Sequence, residues 1–240
     1  MTDCKECQHL LDDGVWELID FHMIGKHFNC LPPQQQTSHV KVVHDQQPLG
    51  KRRLQQSKFK DPVLQLCPCC KTAPETQFHL LQCTANPARS TILATLQRTI
   101  CDSDIHAAKY VLASGLQSWF ADPNLPFQPP ISEFPSHHHE LLIQAIDEQS
   151  KIGWHQATLG YLSQTWQVAA SVNMFESTSH QLSKGMAIRM RVWKALHITT
   201  CDLWLSRNSS LHDRKDEIAR DIQSMLTFFG QAINTTVNGH

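Results

Sequence analysis

Seventeen residues constrain this chain more than any others: Cys67-Pro68-Cys69-Cys70-Lys71-Thr72-Ala73-Pro74-Glu75-Thr76-Gln77-Phe78-His79-Leu80-Leu81-Gln82-Cys83. The spacing is C-x2-C-x8-H-x3-C. A two-residue gap lets two thiolates face one ion from a tight turn, and zinc favours four tetrahedral sulfur or nitrogen donors. His79 and Cys83 are four apart, so a helix places them on one face about one turn apart. Glu75 and Thr76 stand just before that helix, where an acidic side chain favours the positive end of the helix dipole. Cys67, Cys70, His79 and Cys83 are therefore expected to hold one zinc. With every coordination position taken by protein, the site is expected to be structural, because catalytic zinc keeps a place for water. Cys69 is an alternative ligand in place of a neighbour. The competing reading is a set of ordinary buried cysteines beside a surface histidine.

The N-terminus, Met1-Thr2-Asp3-Cys4-Lys5-Glu6-Cys7, lacks the positive start and apolar run of a secretory signal. No stretch approaches the roughly 18 consecutive apolar residues of a membrane span. The expectation is an intracellular chain, nuclear or cytoplasmic and not secreted. There, nine cysteines read as metal ligands or buried apolar groups before they read as disulfides. Cys4-x2-Cys7 followed by His22-x4-His27 imitates a second finger. The residues between them pattern as one amphipathic helix, so a polar N-terminus is the preferred reading.

With 41% hydrophobic and 18% charged residues the composition is globular. Net charge is −1, so electrostatic binding has to come from a local patch. One exists: Lys41, Lys51, Arg52, Arg53, Lys58 and Lys60 stand against Asp45 alone, giving +5 over residues 41–60, directly before the cysteine cluster. Such a patch can contact phosphates, which supply much of the non-specific affinity for nucleic acid. Lys51, Arg52, Arg53, Lys58 and Lys60 are the candidate nucleic-acid-binding residues, with a solvated surface as the plain alternative.

Apolar periodicity predicts helices over Gly14 to Cys30, Thr37 to His44, Pro87 to Cys101, Ser103 to Phe120, Ser136 to Ile152, Trp154 to Asn173, Gln181 to Arg207 and Arg214 to Ile233. Residues 45–50 read as a turn. The fold class is mainly α, a small zinc-knuckle module followed by a multi-helix domain. Expected boundaries are 1–84 for the lead-in with the zinc module, 85–121 for a helical pair, 122–135 for a proline-rich linker or extended surface segment, and 136–240 for a C-terminal helical domain. Ser136 is a candidate N-cap, with His137, His138 and His139 as solvated first-turn residues rather than ligands. Asp12-Asp13 reads as a helix-start acid pair. Trp119, Trp154, Trp166, Trp193 and Trp204 could stack on bases, although core packing is the commoner use.

The order Pro48-Leu49-Gly50-Lys51-Arg52-Arg53, a spacer, Cys67-Pro68-Cys69-Cys70, Glu75-Thr76, His79-Leu80 and Cys83 resembles the zinc-binding region downstream of the polymerase in reverse transcriptases of non-LTR retrotransposons and related elements. Trp16 to His44 is similar to the helical lead-in of such proteins. Ile152-Gly153-Trp154 through Trp166, then Trp193, Trp204, Arg207-Asn208 and His212, is similar to their helical tail. The resemblance implies a nucleic-acid-binding accessory region acting on RNA or DNA, with the polymerase domain of a parent retroelement protein as a partner. No palm sheet, catalytic carboxylate set or nuclease constellation can be assembled, so no enzymatic activity is expected. The chain reads as a detached C-terminal piece. The alternative is a zinc-stabilised helical interaction or structural module with no nucleic-acid role.

Overall fold

The computed structural model describes residues 14–43, 47, 49–57, 61–101, 107–171 and 185–213. The fold is mainly α, and among the described residues there is no strand, only the isolated bridges Ile19–Ser163 and Leu66–Pro74. The helices are α1 (Phe21–Cys30), α2 (Pro33–Val43), α3 (Gly50–Gln56), α4 (Gln77–Gln82), α5 (Arg89–Ile100), α6 (Ala107–Ala121), α7 (His139–Ile152), α8 (Trp154–Ala157) and α9 (Thr165–Ser171). A long helix, α10, covers 185–213.

Helix α6 buries residues around most of its circumference, including Ala108, Val111, Leu112, Leu116, Trp119 and Phe120, as a helix at the centre of a bundle must. Around it α5, α7, α9 and α10 contribute Leu96, Ile100, Leu142, Ala145, Trp166, Ala169, Val192, Leu196 and Leu203 to one apolar cluster. Gly115 leaves a notch in α6 that the Trp154 indole fills; a Cβ at 115 would lie 2.1 Å from the indole edge. Residues 122–135 lack regular structure apart from a turn after Asp122 and a short 3-10 turn at Ile131–Glu133, and Phe127, Ile131 and Phe134 pack against the same cluster.

Three helices differ from expectation for local reasons. The stretch from Gly14 to Cys30 is not one helix but a 3-10 turn, Val15–Leu18, followed by α1. The break falls where Ile19 bridges Ser163 and Asp20 turns to accept the Met23 N–H at 3.0 Å as the N-cap of α1. The stretch after Trp154 is interrupted at Gly160, whose φ of 94° is left-handed. Ser136 does not cap α7: it opens a 3-10 turn, Ser136–His138, and His138 is the α7 N-cap residue, its side chain not capping the helix. His138 is moreover buried rather than solvated, while His137 is exposed and a His139 ring nitrogen lies 2.7 Å from the Phe134 carbonyl oxygen.

The lead-in is strapped to the loop after α8. The Gln164 N–H donates to the Leu18 carbonyl (3.0 Å), the Asp20 N–H to that of Leu162 (3.3 Å), and the Gln164 side chain to that of Glu17 (3.1 Å). Beneath the strap Val15, Ile19 and Ile152 form a second small core. No described helix is long and apolar enough to cross a membrane.

Candidate metal centre

The cysteine-rich loop is shaped by its backbone before any side chain converges. The Leu66–Pro74 bridge, the Cys67 N–H to the Ala73 carbonyl (2.9 Å) and the Glu75 N–H to the Gln65 carbonyl (2.7 Å) close a knuckle whose turn is Pro68 to Cys70. Lys71 completes the turn at φ 62°, with its N–H donating to the Cys67 carbonyl (2.9 Å). Short helix α4 then begins, capped by the Thr76 hydroxyl, which accepts the His79 N–H at 3.0 Å. His79 sits in α4, and Cys83 is the residue that closes it.

This places Cys67, Cys70, His79 and Cys83 so that one ligand atom of each lies within 4.8 Å of all the others, and the group could hold one metal ion. Cys67 Sγ and Cys83 Sγ are 3.7 Å apart and both residues are buried. Cys70 Sγ and His79 Nε2 are 3.4 Å apart and half-buried. Cys69 is outside the group. The neighbouring Cys69 thiol is the main influence holding the Cys67 thiol down at about 4, against burial, which raises it, and with help from the Cys70 and Cys69 backbone N–H groups. Burial pushes the Cys70 thiol up, but the Thr72 hydroxyl and the N–H groups of Ala73 and Thr72 outweigh it and hold that thiol below its ordinary value. Burial, then the charge and hydrogen bond of Cys67, push Cys83 up to about 12. Opposed shifts in neighbouring thiols are what crowded sulfurs show when several negative charges compete for one place.

Glu75 does not serve the α4 dipole. Its carboxylate is fully buried and held between two guanidinium groups: Arg207 Nε and Nη2 donate to its two oxygens, and Arg53 Nη2 donates to Oε2 at 2.9 Å. Arg53 Nη2 also donates to the Leu66 carbonyl at 3.0 Å, so this guanidinium faces inward onto the knuckle. Arg52 is half-buried in α3. Lys51 lies in the same helix, and Lys58 and Lys60 are outside the described residues. Of the imitation finger, Cys4 and Cys7 are outside the described residues as well, His22 is exposed and His27 is buried against Trp193. Asp12 and Asp13 also fall outside.

Sequence reasoning missed Glu75, Asn86 and Arg207 as supports of this centre. Glu75 and Arg207 are 132 residues apart, and no local pattern announces the pair. Asn86 follows Cys83 closely, donates its N–H to the Cys83 carbonyl (3.2 Å) and grips α10 through the Leu203 carbonyl (3.3 Å) and the Ser206 hydroxyl (2.7 Å).

A cavity of about 280 Å³ between α5 and α6 is the other concave feature of note, lined by Leu93, Leu96, Ile100, Leu116 and Phe120. Arg89 at its rim is already engaged with the Leu81 and Phe120 carbonyls. The rest of the cavity's polar lining is Ser90, Gln97 and Gln117. No protein-family model, curated protein or solved structure matches this chain.

Proposed function

We propose that the ion held by Cys67, Cys70, His79 and Cys83 is a single structural zinc, and that the chain is a non-catalytic, zinc-stapled helical binding region. One observation carries the reading. Tetrahedral zinc with bonds of about 2.3 Å to sulfur and about 2.0–2.1 Å to nitrogen separates two sulfurs by about 3.8 Å and sulfur from nitrogen by about 3.6 Å. Two of the six separations here are 3.7 Å and 3.4 Å, and all six fall within 4.8 Å. Thiolates accepting backbone N–H groups from their own knuckle suit a soft, closed site, and four protein ligands leave no position for a reacting water. The test is metal analysis of the purified chain: one zinc per chain, lost on Cys67→Ser or His79→Ala. A folded chain free of metal would end the proposal.

The binding partner we propose is RNA or DNA. The +5 run of residues 41–60 borders the centre, Lys41 and the knuckle residue Lys71 are exposed, and the resemblance to retroelement zinc-binding regions names the same ligand class. Arg53 is withdrawn from this surface because its guanidinium serves Glu75. The expected affinity falls steeply with salt, and a variant with Lys51, Arg52, Lys58 and Lys60 all changed to Ala flattens that slope. Salt-insensitive or absent binding leaves the zinc-stapled interaction module as the function.

A further inference from the structure

Helix α10 meets the metal centre along a single stripe. Leu203, Ser206 and Arg207 follow the i, i+3, i+4 spacing of one helical face. They meet the centre's frame at two places, Glu75 and Asn86. Arg207 clasps the buried Glu75 carboxylate, which continues the knuckle bearing Cys67 and Cys70. Asn86, fixed to the Cys83 carbonyl, takes the Leu203 carbonyl and the Ser206 hydroxyl. One face of α10 therefore reaches both the segment of chain that continues the Cys67–Cys70 knuckle, at Glu75, and the turn after Cys83, at Asn86.

We infer that metal binding and the docking of the end of α10 are one coupled equilibrium, with Glu75–Arg207 and Asn86 as the positioning residues that join them. This rests on the metal reading above. The ion ties the knuckle to α4, and that fixes where Glu75 stands. A buried carboxylate is tolerable only beside its cationic partners, so Glu75 in place demands Arg207 in place. Without the ion the knuckle and the Cys83 turn are free to separate, and the stripe on α10 loses the two surfaces it spans. Coupling between binding equilibria is reciprocal, so loosening α10 must weaken the ion by the same factor.

The experiment uses the full chain. Zinc affinity is measured by competition with a chromophoric chelator, and amide hydrogen exchange is followed with zinc bound and after its removal. The expected result is that Arg207→Ala and Asn86→Ala each weaken zinc by about 10- to 100-fold, the range seen for residues that support metal ligands. On zinc removal, amides of 200–213 exchange faster while those of α6 and α7 keep their protection. If Arg207→Ala does not fold, Asn86→Ala and the exchange of the unmodified chain decide. Unchanged affinity in the variants, unchanged exchange at 200–213, or a uniform rise that includes α6 and α7 overturns the coupling. A chain that takes up no zinc overturns the metal reading itself, which chelator competition reports separately.

Discussion

The Trp193 indole lies against the His27 imidazole, with ring centroids 3.5 Å apart. His39 and His197 close around the same indole at 4.9 Å and 5.6 Å, so three imidazoles from α1, α2 and α10 share one buried site. Burial, and for His27 also the charges of His197, His39 and Lys194, holds His27 at about 4. Burial followed by His197 holds His39 at about 4 as well. Burial lowers His197 in the same direction.

These histidines make stability depend on pH in a defined sense. Unfolded imidazoles titrate near 6.5, so between about 6.5 and about 4 the unfolded chain binds more protons than the folded one. Their contribution is complete above 6.5 and is lost as pH falls toward 4, at up to about 1.4 kcal/mol per pH unit per imidazole. The proposed zinc ligands would also release an ion in acid, so the test compares chains that keep Cys67, Cys70, His79 and Cys83. His27→Phe with His39→Phe should show a shallower fall in urea midpoint between pH 6.5 and 5 than the parent. Identical slopes would show that the imidazoles are not the source.

Cys69 and Cys70 should separate cleanly. Cys70 Sγ belongs to the four-atom cluster and Cys69 Sγ does not. Cys69→Ser should keep one zinc per chain through dialysis, whereas Cys70→Ser should lose it; the reverse pattern would reassign the ligand.

Gln149 is fully enclosed and uses its whole amide. Its oxygen accepts the Ser163 N–H (3.2 Å) and the Trp166 indole N–H (3.3 Å), and its nitrogen donates to the Gly153 (3.3 Å) and Tyr161 (3.2 Å) carbonyls. A carboxylate of the same shape can accept but cannot donate, so Gln149→Glu leaves two carbonyls facing a buried charge. The expected cost is about 3 kcal/mol or more in urea unfolding at neutral pH. A change below about 1 kcal/mol would mean the loop rearranges freely.

Asp20 has two duties, capping α1 and pairing with the buried Arg189 of α10, which also donates to Gln167 at 3.0 Å. Asp20→Ala strands a guanidinium and should cost about 3 to 5 kcal/mol. Asp20→Asn keeps the cap and should cost less. Thermal unfolding of the two variants gives the order, and equal losses would assign the effect to the ion pair with Arg189 alone.

Helix identity was legible where one face is apolar over several turns. The predicted stretches Pro87 to Cys101 and Ser136 to Ile152 contain α5 and α7, and the candidate metal group could be read because its four residues lie within seventeen positions. What could not be read depends on distant partners. The helix expected at Thr37 begins instead at Pro33, a residue suited to a first helical turn, and residues 51–53 read as a basic run although they lie in helix α3. Glu75 looked like a dipole partner for α4 because Arg207 is invisible from position 75. Trp119, Trp166 and Trp193 are buried as core packing requires, whereas Trp16, not among the tryptophans singled out, is 44% exposed.

The notch at Gly115 carries a consequence for how this chain can vary. Its backbone sits within an ordinary helix, so nothing in its own conformation demands glycine; the demand comes entirely from the Trp154 ring lodged against it. Positions 115 and 154 form a size-matched pair, in which alanine or serine at 115 becomes acceptable only once the ring at 154 shrinks. In a set of relatives the two columns should change together, large opposite small, and that joint variation would be the trace of a packing contact between α6 and α8.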